Sequence, residues 1–91
     1  MKQEKVESLK HLKEILSDGS NHDFFILLNF GLRSYKIMSW DGGDVFYVLN
    51  LIDDTEQNLS EAQLMDETLT NIGAAITKGA FFWENWEDEN N

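Results

Sequence analysis

The sequence predicts an α+β domain: an antiparallel sheet of four to five strands, with an N-terminal amphipathic helix and two short C-terminal helices packed on one face. Three observations predict it. Apolar residues near the start recur at helical spacing, the middle of the chain alternates apolar or aromatic runs with turn residues, and the part after Ser60 carries helix-capping and helix-ending signals. With 91 residues, 42% of them hydrophobic and 12% aromatic, there is material for one modest core. No linker, repeat or low-complexity stretch divides the chain, so a single domain over 1–91 is expected.

The first element is a helix expected within 1–18. In KQEKVESLKHLKEILS, residues Val6, Leu9, Leu12, Ile15 and Leu16 recur every third or fourth position with charged residues opposite, and Gly19 can close the helix in a left-handed conformation. His11 lies off the apolar stripe and is expected exposed. Antiparallel strands follow over 24–59. FFILLNF is unbroken in its apolar content, which suggests a strand buried on both faces in mid-sheet. RSYKIMSW and VFYVLNLI flank DGGD, and a Gly-Gly pair between such runs signals a hairpin, because the turns that match strand twist need positive φ. With Gly42 and Gly43 as the turn, Trp40 falls opposite Val45, Met38 opposite Tyr47 and Lys36 opposite Leu49, with Ile37 and Val48 on the other face. DDTEQ is the next turn and QNL a short fourth strand.

Helices are expected over 61–79. Ser60 with Gln63 forms a capping-box pattern, Thr70 or Asn71 can cap IGAAITK, and Gly79 can end it. AFFW then predicts a last strand at 80–84, followed by an acidic tail at 85–91.

Charge and composition narrow the function classes. There is no cysteine, hence no disulfide or thiolate metal site. The longest apolar run, FFILL, is far short of the roughly 20 residues of a membrane span, and MKQEKVESLK has lysines without the apolar stretch of a secretion signal. A cytoplasmic, non-membrane location is expected. The formal net charge is −10, unevenly spread: residues 1–36 carry six bases against five acids, whereas residues 37–91 carry twelve acids and only Lys78 as a base. Such acidity repels phosphate backbones, so direct nucleic acid binding is disfavoured and a basic or nucleic-acid-binding host protein is the favoured partner.

Candidate chemistry was sought in the acids, the histidines, the glycine turn and the aromatics. Asp41 and Asp44 lie on the order of 30 Å from Asp53, Asp54 and Glu56 along the intervening strand, so the groups cannot share a cation. DGGD also lacks the ligand pattern of a calcium loop, and neither a metal site nor a cofactor is expected. His22 beside Asp23 could form an acid–base pair, but no nucleophile or phosphate-loop motif accompanies it, and no catalytic residue is assigned. Gly31, Arg33 and Ser34 are candidates for an anion-holding turn. Trp40 borders the glycine turn, and Trp83 and Trp86 approach the chain end beside Glu87, Asp88 and Glu89. Tryptophan next to acid suits a protein-interaction surface, so these six residues are the candidate interaction set.

The segments NFGLRSYK, IDDTEQNL and TNIGAAITKGAFF, taken in order, resemble a group of small uncharacterised proteins of phages and prophages of Gram-positive bacteria. The shared positions are Asn29, Gly31, Leu32, Ser34, Lys36, Ile52, Asp53, Glu56, Leu59, Thr70, Asn71, Ile72, Ala75, Ile76, Lys78, Gly79 and Ala80. The resemblance implies a phage-type accessory protein, without assigned activity and with no functional residues to carry over. The expectation is therefore a non-enzymatic, acidic interaction protein, for which a homodimer is one available form. The alternative is a DNA-mimicking inhibitor of a nuclease, a repair enzyme or a CRISPR or restriction component.

Overall fold

The computed structural model describes residues 2–19, 22–28 and 31–85. In chain order they form β1 (Lys2–Lys5), α1 (Leu9–Ile15) prolonged by a 3-10 turn (Leu16–Asp18), β2 (His22–Leu28), β3 (Gly31–Trp40), β4 (Val45–Asn50), β5 (Glu56–Leu59), α2 (Glu61–Leu64), α3 (Ile72–Lys78) and β6 (Phe81–Asn85). The strands make one six-stranded sheet in the order β1-β6-β2-β3-β4-β5, and each neighbouring pair is antiparallel. The α+β class is as predicted, with one strand more than the expected four to five.

The additional strand is at the N-terminus, where the sequence predicts helix. Ser8 is the reason the helix starts late. It is extended (φ −165°), its hydroxyl accepts the His11 N–H at 3.1 Å, and His11 Nδ1 accepts the Glu7 N–H at 3.0 Å. The first bond satisfies an early amide of α1, the second ties down the Glu7 amide just ahead of the cap, and together they fix the start of the helix at Ser8. The preceding backbone pairs with β6 instead, Lys2 opposite Asn85 through Lys5 opposite Phe82, and the Val6 N–H reaches the Phe81 carbonyl at 2.8 Å. Val6 is buried either way, which is why its place in the apolar stripe could not separate the two conformations. His11, expected exposed, is half-buried by its capping role.

The central hairpin takes the predicted register, with Trp40 opposite Val45, Met38 opposite Tyr47 and Lys36 opposite Leu49. Gly42 and Gly43 sit at φ 68° and 91°, and the Asp44 N–H donates to the Asp41 carbonyl at 3.2 Å across them. Two adjacent residues with positive φ are what a turn matched to strand twist requires. At the next turn, Asp53 Oδ1 accepts the Thr55 N–H at 3.0 Å and the Thr55 hydroxyl at 2.7 Å. Asp66 does the same for Thr68 between α2 and α3, at 2.9 and 2.7 Å. Both halves of the Ser60–Gln63 capping box are made. Of the two candidate caps for α3, Thr70 acts: its hydroxyl accepts the Ile72 N–H at 2.8 Å, while the Asn71 side chain makes no capping bond.

The core lies between one face of the sheet and the helices. Phe24, Ile26, Ile37, Phe46, Val48, Leu59 and Phe81 point inward from the strands to meet Leu12, Leu16, Leu64, Ile72, Ala75 and Ile76. Phe24 and Phe81 stack at 5.3 Å with their planes 7° apart. The expectation that FFILLNF is buried on both faces is corrected here. Phe24 and Ile26 are fully buried, but Phe25 is half-buried and Leu27 is 54% exposed. Helices cover only the face that Phe24 and Ile26 occupy.

Two predictions follow from these contacts. A Cβ added at Gly73 would lie 2.7 Å from Met65 Cα and 2.9 Å from its carbonyl oxygen, both rigid backbone. Glycine to alanine within a helix normally stabilises by about 1 kcal/mol, but Gly73→Ala should instead destabilise by about 1–3 kcal/mol through overpacking. Urea denaturation reads the sign, and a stabilised variant would refute the close approach. Second, the hydroxyl and backbone bonds from Thr55 and Thr68 hold the Asp53 and Asp66 carboxyls below the usual range. A lowered folded-state pKa adds stability above the ordinary carboxylate value, and that stability is lost as pH falls through the lowered values. The urea midpoint should therefore decline on the acid side, and Thr55→Val with Thr68→Val should make that decline shallower.

Candidate functional site

Alternation along a strand sends successive side chains to opposite faces, so the residues between the core positions form a second face. Among the described residues no helix lies over it. At one end Met38 and Trp40 from β3 meet Val45 and Tyr47 from β4 as cross-strand neighbours. Trp40 is 51% exposed and the other three are half-buried. At the other end Phe25 of β2 lies opposite Phe82 of β6, with Leu27 beyond them. Between the two apolar clusters a polar row, interrupted only by Leu49, crosses the sheet: Gln3 and Glu84, then Asp23, Lys36, Leu49 and Glu56.

Three of the charged residues in this row are satisfied locally. Lys36 Nζ donates to Asp23 Oδ1 at 2.8 Å. The Tyr47 hydroxyl donates to Glu56 Oε1 at 2.7 Å, and that bond is the main cause that raises the Tyr47 pKa. Glu84 makes no hydrogen bond or ion pair with a described residue. Beyond Trp40 the hairpin turn carries the exposed Asp41 and Asp44, and the charge of Asp44 acts on Lys13, which reaches the turn from α1.

The residues singled out in the sequence are distributed unevenly around this face. Trp40 stands on it. Trp83 is on the opposite face, half-buried against the core, with its ring meeting the edge of His22 at 5.6 Å and 83°. Its Nε1–H is buried with no acceptor among the described residues. Trp86, Glu87, Asp88 and Glu89 lie outside the described residues. The three anion-site candidates do not converge. Gly31 begins β3 rather than forming a turn, and Arg33 and Ser34, as neighbours in a strand, project to opposite faces. Arg33 is exposed and its charge helps lower the Asp53 pKa, while the Ser34 carbonyl accepts the Leu51 N–H at 3.0 Å.

His22 and Asp23 diverge for the same reason. His22 Nε2 lies 3.3 Å from Asp18 Oδ1, and Asp23 faces away toward Lys36. Among the described residues no group of three histidine or acidic side chains is placed to hold a metal ion. Among them, too, no helix is long and apolar enough to cross a membrane. Comparison with protein-family models, curated proteins and solved structures found no match.

Sequence reasoning passed over Phe25, Leu27, Met38, Tyr47 and Phe82 as parts of a surface. The hairpin register already set Met38, Trp40, Val45 and Tyr47 on one side. What the sequence lacked was any local sign that this side stays uncovered.

Trp83 supplies a test of how the covered face is built. Trp83→Phe removes a donor that has no acceptor among the described residues, so it should change stability by less than about 1 kcal/mol. Trp83→Ala should cost about 3 kcal/mol through the cavity it leaves. Thermal or urea unfolding of both variants checks this, and an equal loss in the two would mean that the indole N–H is bonded after all.

Proposed function

We propose that this chain is a small, acidic, non-enzymatic interaction protein of phage or prophage accessory type that acts by binding another protein through the uncovered face of its sheet. The observation that carries the reading is the one-sided architecture, with helices on one face and Trp40, Leu27, Phe25, Met38, Val45, Tyr47 and Phe82 on the other. A six-stranded sheet is about 24 Å wide with strands about 20 Å long, so the face measures roughly 500 Å². The two apolar clusters occupy parts of that area on either side of the polar row, and exposed apolar groups rimmed by polar residues are the usual form of an interaction site. The divergence of His22 from Asp23, and of Arg33 from Ser34, favours binding over catalysis.

The alternative, mimicry of DNA to occupy a nucleic-acid-processing enzyme, draws on charge. The described turn acids divide between the two ends of the hairpin strands, Asp41 and Asp44 at one end and Asp53 and Asp54 at the other. That division is a poorer copy of a phosphate track than a single acidic strip would be, and it favours the sheet face as the binding surface.

The test is capture from host lysate by wild type, by a face variant with Trp40→Ser and Leu27→Ser, and by a chain ending at Asn85. The face variant should lose about ten-fold or more of the captured protein, while the shortened chain retains it. Capture that depends on residues 86–91 alone would shift the site to the tail. A partner released by added duplex DNA would favour mimicry.

A further inference from the structure

Two aspartates of the chain, Asp18 and Asp41, are followed by glycine. Glycine carries no Cβ to shield its amide, so in an Asp–Gly step the backbone nitrogen can approach the preceding carboxyl group. The fold treats the two steps differently. At Asp18–Gly19 both reacting groups are engaged: Asp18 Oδ1 lies 3.3 Å from His22 Nε2, and the Gly19 N–H donates to the Leu16 carbonyl at 3.1 Å. At Asp41–Gly42 the turn holds neither. Both residues are exposed, and the Asp41 carboxylate makes no hydrogen bond or ion pair with a described residue. Gly42 supplies one of the first amides of the 3-10 turn Asp41–Gly43, a position with no acceptor inside the turn. The backbone adds a second difference. Asp41, Gly42 and Gly43 have φ of 55°, 68° and 91°, and of the three only Asp41 has a Cβ to crowd in that left-handed region. One more rotatable bond at this point would release the strain.

We infer that the Asp41–Gly42 step is a modification site, at which the backbone isomerises to the β-linked isoaspartyl form. In the first step the Gly42 nitrogen attacks Cγ of the protonated Asp41 carboxyl. An N–Cγ bond forms, a Cγ–O bond breaks, and the amide proton leaves with the hydroxyl as water, which closes a five-membered succinimide. In the second step water adds to one of the two ring carbonyls. Addition at Cγ restores aspartate, whereas addition at the Asp41 backbone carbonyl carbon breaks its bond to nitrogen and leaves the chain running through Cβ and Cγ. The water lost is regained, so mass and composition are unchanged and no other reactant is needed.

The product changes the hairpin tip. The Asp41 carbonyl that accepts the Asp44 N–H at 3.2 Å becomes part of a free carboxylate, and the backbone between Trp40 and Gly42 gains a methylene. The bond that closes the tip loses its fixed geometry. The inference stands on the turn alone and is independent of what the open face binds.

The experiment follows the wild-type chain, folded and unfolded in guanidinium chloride, through prolonged incubation at mildly acidic pH. Isoaspartate is measured by enzymatic methyl transfer to its free α-carboxyl and located by peptide mapping. Trypsin cleaves after Lys13, Arg33, Lys36 and Lys78, so Asp18 falls in peptide 14–33 and Asp41 in peptide 37–78. Electron-transfer fragmentation, which cuts the additional Cα–Cβ bond of the main chain, assigns the linkage to one aspartate. In the unfolded chain the two steps should isomerise at similar rates. Folding should slow Asp18 several-fold and leave Asp41 close to its unfolded rate. Asp41→Glu, which would have to close a six-membered ring, should remove the signal from 37–78 in both states. In the isolated isoaspartyl form the Asp44 amide should exchange its hydrogen several-fold faster than in the unmodified chain.

The inference is overturned if folding slows Asp41 as much as Asp18, if the folded chain reacts faster at Asp18, if no isoaspartate forms in either state, or if the signal in 37–78 survives Asp41→Glu. An Asp44 amide with unchanged exchange would overturn the opening of the turn.

Discussion

The insertion of β6 between β1 and β2 is the constraint on which the rest of the structure depends. Phe81 enters the core beside Phe24, the Phe81 carbonyl receives the Val6 N–H, and the Ala80 carbonyl receives the Leu27 N–H. These contacts give β1 a partner and make β2 an interior strand. They also oblige the chain to travel from β5, at one edge of the sheet, back to its middle. The route is α2 and α3, which cross one face and bury Leu64, Ile72, Ala75 and Ile76 on the way. The helix α1 comes down on that same face, so the helical material of the described residues is used there. The open face is the consequence: each connection long enough to hold a helix runs on the other side.

Packing of the covered face is close enough to explain its sequence. Gly73 sits where α3 passes the backbone of Met65, and a side chain has no room there. Lys13 reaches from α1 to Glu61 at the start of α2, and the hydrogen bond to Glu61 is the main cause of its raised pKa. That ion pair is about 40% exposed on each side, at 38% and 42%, so it serves to orient the two helices more than to stabilise them.

On the open face the division of labour differs. The apolar clusters can supply the contact area that holds a partner, whereas an acid such as Glu84 acts over a Debye length of about 8–10 Å and chiefly governs encounter and selectivity. The Asp23–Lys36 and Tyr47–Glu56 bonds satisfy three of the four charges in the polar row without a partner, Glu84 being the fourth. The free protein therefore exposes aromatic side chains on this face without leaving Asp23, Lys36 or Glu56 unbonded.

The amino-acid sequence by itself determined what is decided over a few neighbouring residues. The hairpin register follows from Gly42-Gly43 between alternating runs, and the start of α2 follows from Ser60 with Gln63, because a turn or a cap is a local hydrogen-bonding problem with few solutions. Ser8 was a cap of the same kind, legible in principle, but the apolar stripe running back to Val6 concealed it. Only the tertiary structure decided where the separate pieces meet. Lys2–Lys5 became a strand because β6 offered it an edge, Leu27 stayed exposed because no helix returned over its face, and Arg33 and Ser34 parted because a strand replaced the expected turn. Strand pairing joins residues far apart in the chain, and nothing in a short window records which partner arrives. The exposure of Trp40 beside Met38 and Tyr47, which carries the functional reading, is of this second kind.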